Sequence, residues 1–107
     1  MNIANRCIST EARLRAEKLV KELTVEEKVR QLGCTTLLSA DKKPEEKDLA
    51  GGIGAIALLD ICEEPEALAA RLKKLQQYVM DHSEHHIPAL FHCEALGGPV
   101  VPKTVLY

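Results

Sequence analysis

An α/β fold built on a parallel sheet is what this sequence predicts, and three observations carry that prediction. Segments of helical period alternate with short strand-like runs, the pattern of βα units rather than of a sandwich. The run from Gly51 to Leu59 is apolar on both faces, as expected of a parallel strand covered on each side. The run from Ile87 to Phe91 reads as a further strand, its path set by Pro88, which emerges at Glu94 before Gly97 and Gly98.

In chain order, residues 1–9 read as a flexible tail. Ala12, Ala16, Leu19, Val20 and Leu23 share one face at helical spacing, which predicts a helix over 10–23. Thr24-Val25-Glu26-Glu27 is a capping box that opens a second, short helix. Its apolar side is Val25, Val29 and Leu32, and its terminator is Gly33. Cys34 to Leu38 reads as the first strand, and a charged loop over 41–48 follows, with Pro44 near one possible helical turn. Gly51, Gly52 and Gly54 precede the next strand, so they form a tight turn into it. A dinucleotide-binding fingerprint would have glycines after the strand. Glu63, Glu64 and Pro65 open a third long helix, with acids at its positive end. Leu68, Leu72, Leu75 and Val79 are its buried stripe, while Arg71, Lys73, Lys74, Gln76 and Gln77 are assigned to solvent.

Composition narrows the function. The chain has 107 residues, 46% hydrophobic and 28% charged, enough for one modest core in a single domain. A net charge of −2 with no basic stripe argues against nucleic acid as a partner. Phe91, Tyr78 and Tyr107 are the only aromatics, too few for a stacking platform. No apolar run approaches the ~20 residues of a membrane span, and Met1 to Arg6 lack a signal-peptide core, so a cytoplasmic protein is expected. Cysteines at 7, 34, 62 and 93 form no Cys-x-x-Cys pair and read as reduced thiols.

Four segments, in order, carry a resemblance. These are the helix and capping box from Arg15 to Leu32, the turn Gly51-Gly52-Ile53-Gly54, the run from Ile87 to Gly98, and Lys103-Thr104-Val105-Leu106-Tyr107. Together they resemble the start of the catalytic barrel of glycoside hydrolase family three, the β-glucosidase and β-xylosidase family. That family's third segment is an Ile-Pro strand ending in Phe-His-Glu-Glu-Ala-Leu-His-Gly. Here Cys93 stands for the first acid, Gly97 for the second His, and His86 for the Gly that commonly precedes Ile-Pro. His tolerates a left-handed backbone better than most side chains, so the turn survives this last change.

The resemblance implies the opening of a (β/α)₈ TIM barrel, of which ~250 residues are typical. The chain would supply the first few parallel strands with flanking helices. It implies a retaining β-glycosidase acting on terminal β-linked glucosides or xylosides, with no metal or organic cofactor. The family's Asp nucleophile and its acid/base carboxylate match no position up to Tyr107. Retaining chemistry needs two carboxyl groups ~5–5.5 Å apart, so no catalytic residue is expected here and the chain alone should be inactive.

Glu94 is the leading site residue. It follows a strand, at the barrel mouth where active sites form, and by resemblance its carboxylate grips hydroxyls of the non-reducing sugar. Asp60 also ends a strand and is a second candidate for sugar contact, against a plain capping role. His82, His85 and His86 invite a metal proposal, but no acid lies in the metalloprotease position and a helix C-terminus favours His for its charge. A Cys93 nucleophile served by His92 is disfavoured, because adjacent strand residues point to opposite faces. The alternative function is a stand-alone interaction module, a homo-oligomer in which a second copy covers the open sheet edge.

Overall fold

The structure, a computed structural model, describes residues 9–37, 46–59 and 63–94. Its elements are α1 (Thr10–Glu22), α2 (Val25–Arg30), β1 (Cys34–Leu37), α3 (Glu46–Leu49), β2 (Ala55–Leu58), α4 (Pro65–Asp81) and β3 (Leu90–Cys93). The strands form one parallel sheet in the order β1-β2-β3, with Cys34, Ala55 and Leu90 in one row and Leu37, Leu58 and Cys93 in the last. Helices and a parallel sheet are therefore present as the sequence predicts. The strands are neighbours in chain order, and all three run the same way, so their C-terminal ends share one edge.

Local chemistry explains the helices. Ser9, assigned by sequence to a flexible tail, instead caps α1: its hydroxyl accepts from the Ala12 amide at 3.1 Å. Thr24 and Glu27 form the capping box. The Glu27 amide donates to Thr24 Oγ1 at 3.2 Å, and the Thr24 amide donates to Glu27 Oε2 at 2.7 Å. Pro65 sits in the first turn of α4, where its missing N–H costs nothing.

The core lies on one side of the sheet. Ile56 and Leu58 of β2 point into it with Leu37 of β1, against Val79 of α4, and Leu49, Ile53 and Ala89 close its edges. Ile56 and Val79 are both 0% exposed. Burying each side chain is worth about 1.5–3 kcal/mol relative to leaving it in water. Leu72, Leu75, Tyr78 and Phe91 are half-buried around them, so of the α4 stripe predicted to be buried only Val79 is, while Leu72 and Leu75 pack against the core.

The turn into β2 is made by glycine, as the sequence indicates. Gly51 and Gly52 have φ of 86° and 90°, a left-handed backbone that other residues enter at a cost. Gly54 passes so close to the Gln31 carbonyl that an added Cβ would lie 1.9 Å from its oxygen. Arg30 closes the turn from α2 by donating to the Ala50 carbonyl at 2.9 Å.

Several sequence expectations need correction. The strand predicted over 87–91 is shifted, and the ladder runs from Leu90 to Cys93. The cause is Gln76, whose amide takes both backbone groups of Ala89. Its Nε2 donates to the Ala89 carbonyl and its Oε1 accepts from the Ala89 amide, each at 2.9 Å. Gln76 is thus no solvent-facing residue, and neither is Arg71, which pairs with Glu63. The strand predicted over 51–59 narrows to Ala55–Leu58, because the glycines are spent in the turn. Its second face is not closed over: Ala55 and Ala57 are half-buried, while Cys34, Thr36, Leu90 and His92 around them are exposed. The apolar side of α2 also lacks cover, with Val25 78% and Leu32 87% exposed. No residue of α1 is buried; Leu23, just past its end, is the buried anchor.

The Gln76 clamp generates a comparison. Gln76→Ala leaves a buried amide and carbonyl without partners and is expected to lower stability by about 1–3 kcal/mol. Gln77→Ala removes only a surface bond to Asp81 and is expected to stay within about 0.5 kcal/mol of wild type. Urea denaturation of the two variants reads the difference, and equal effects would contradict the clamp.

Candidate functional site

Side chains alternate between the two faces of each strand. In β3, Phe91 faces the core, while Leu90 and His92 face the open side with Cys34, Thr36, Ala55 and Ala57. Glu94 follows β3 directly and continues the parity of Leu90 and His92. It is exposed and stands at the C-terminal edge of the sheet. Parallel βα sheets hold their ligands at this edge. A carboxylate's two oxygens can accept from a ligand carrying adjacent hydroxyls. Asp60, the second candidate, lies outside the described residues, as do Gly97 and Gly98. Cys7 and Cys62 lie outside them too.

His86 shows how the chain turns between α4 and β3. Its φ is 51°, the one positive value at a non-glycine residue among those described. This is the left-handed backbone that the sequence reading assigns to it. A bulky side chain there costs on the order of 1–3 kcal/mol. Part of the offset is local: the His86 Nδ1 donates to the Met80 carbonyl at 2.7 Å, satisfying one of the last acceptors of α4.

The histidine cluster disperses. His82 stacks on Tyr78 with ring centroids 3.9 Å apart, and its Nδ1 lies 2.9 Å from the Tyr78 carbonyl. His85 turns the other way, its Nε2 3.6 Å from Glu27 Oε1. Three imidazoles thus meet three different partners, and two of them close the end of α4. Among the described residues no group of three or more His, Cys, Asp or Glu side chains converges as a metal site would require.

His92 has a different neighbour from the one considered in sequence. Cys93, next in the chain, lies on the opposite face, but Cys34 of β1 brings its Sγ to 3.6 Å from His92 Nε2. The two residues are 58 positions apart and flank β2, which carries only Ala55 and Ala57 on that face. Nothing in the linear pattern points to this pair, because it requires the strand register.

No family model, no curated protein and no solved structure matches the chain. The reading of the site therefore rests on the chain's own motifs and on this geometry.

The titration of Glu27 is clearly displaced. Hydrogen bonds from the Thr24 amide, then from the Thr24 hydroxyl, hold its carboxyl below the ordinary value, with His85 adding in the same direction. A depressed folded-state pKa contributes stability above the unfolded value, and that contribution is lost as pH falls through the folded one. Glu27→Gln removes the titration, so its stability deficit relative to wild type is expected to shrink on acidification. Urea midpoints across the carboxylate range test this, and a deficit that is constant or grows would contradict it.

Proposed function

We propose that this chain forms the first βα units of a retaining β-glycosidase barrel and contributes Glu94 to its sugar-binding pocket. The observation that supports the reading is that Glu94 is exposed directly after the end of a parallel strand. Two further features support it. The strands run β1-β2-β3 in chain order with α4 on one side only, as in a barrel wall whose helices lie outside. Four segments also occur in the order of the glycoside hydrolase family three barrel, and the left-handed His86 fits the position that family commonly gives to Gly.

In this reading the Glu94 carboxylate accepts charge-assisted hydrogen bonds from adjacent hydroxyls of a terminal β-linked glucoside or xyloside. That holds the ring in place without touching the scissile bond. The nucleophile and the acid/base are contributed by barrel positions outside these 107 residues, and neither a metal nor an organic cofactor takes part. Cys93 and Gly97 stand where the family has Glu and His, so the family's sugar preference is not carried over to this chain. No helix among the described residues is long and apolar enough to cross a membrane. A cytoplasmic location belongs to the proposal and rests on the sequence reading alone.

A second reading is favoured by one observation: Leu90, on the open face, is 74% exposed. A stand-alone module would bury it, and close the sheet edges, by self-association.

Antibody against the chain distinguishes the two in the source cell. The expected result is a polypeptide well above 11.8 kDa whose immunoprecipitate hydrolyses an aryl β-glucoside, with activity lost in Glu94→Ala. A native species of the size of this chain, inactive and self-associated, would overturn the glycosidase reading.

A further inference from the structure

We propose that Cys34 is a site of thiol–disulfide exchange, with His92 as its proton acceptor. The proposal goes beyond the sugar-binding reading and concerns the 107-residue chain by itself, whose sheet has one exposed face. Three observations carry it. Cys34 is a free, exposed thiol, and His92 is exposed beside it with Nε2 3.6 Å from Sγ. The strand between them presents Ala55 and Ala57, whose methyl groups leave room for the imidazole to reach across β2. The surrounding face, Thr36 and Leu90 included, is exposed, so an extended small-molecule disulfide can approach the sulfur.

The pair has two of the parts that thiol chemistry uses, a nucleophile and an adjacent base. Among the described residues no carboxylate is paired with His92, so the orienting third group of a hydrolytic triad is missing. Exchange with a disulfide needs no such group. The Cys34 thiol gives its proton to His92 Nε2, and the thiolate attacks one sulfur of the disulfide. A bond forms between Cys34 Sγ and that sulfur as the original S–S bond breaks. The departing thiolate takes the proton from His92 and leaves as a thiol. Cys34 is oxidised to the mixed disulfide, the departing sulfur is reduced, and atoms and electrons balance.

Cys93 is the internal control. It is also free and exposed, but it lies on the other face of β3, with no imidazole within hydrogen-bonding distance among the described residues. The test is to incubate the chain with oxidised glutathione at neutral pH and quench by alkylation. The adduct at each cysteine is then quantified by peptide mass spectrometry. Cys34 is expected to react about ten-fold faster than Cys93, and His92→Gln is expected to remove that advantage while leaving Cys93 unchanged. The wild-type ratio needs no variant, so it stands even if His92→Gln is poorly folded. Equal wild-type rates at Cys34 and Cys93 would overturn the proposal, as would a folded His92→Gln that keeps the wild-type rate at Cys34. Loss of aryl glucosidase activity in the experiment above bears on Glu94 alone and leaves this result unaffected.

Discussion

The burial of Ile56 and Val79 in one core cluster is the constraint on which the rest of this structure depends. Both side chains are fully buried, and they join the middle strand to the long helix. The strand reads Ala-Ile-Ala-Leu, so its two large side chains go to the same side. The helix follows them, and α4 and the core residues of β1 and β3 gather on that face. The other face is left with two alanines at its centre. A polar or small residue at 56 would remove the reason for α4 to lie where it does.

Much of the chemistry on the open face follows from that asymmetry. Because β2 shows only methyl groups there, His92 can lie across it to Cys34, which a leucine at 55 or 57 would obstruct. Because the strands are parallel and in sequence, their C-terminal ends form one edge, and Glu94, one residue past β3, is exposed at it. The capped helix ends act separately from this arrangement. Thr24 with Glu27, and His82 with His86, satisfy backbone groups at the start of α2 and the end of α4, on segments that deliver the chain to β1 and β3.

The parts of the fold that sequence makes legible are those governed by short-range chemistry. The capping box spans four residues, the stripe of Leu72, Leu75 and Val79 spans two turns, and the glycine turn is local, so each is visible in a window of the chain. The left-handed backbone at His86 is legible for the same reason, through the position before Ile-Pro. What fails is whatever needs a distant partner. Gln76 reaches Ala89 thirteen residues on and shifts the start of β3, and periodicity counts it simply as polar. The pairing of Cys34 with His92 exists only once three strands are in register. The run from Gly51 to Leu59 suggests two covered faces because alanine scores as apolar, although its small surface gives little drive to cover it. The stripe of Val25, Val29 and Leu32 is a true helical pattern, yet among the described residues it stays in water. Of the two site candidates, Glu94 is exposed directly after β3, and Asp60 lies outside the residues described.

A sheet packed on one face only is the claim from which both functional readings start. Methyl NMR with a soluble gadolinium chelate tests it directly, because relaxation of each methyl reports its distance from solvent. The methyls of Leu90, Ala55 and Ala57 are expected to relax strongly while those of Ile56 and Val79 remain protected. Protection of Leu90 and the two alanines to the same degree as Ile56 would show a second packed layer and contradict the account.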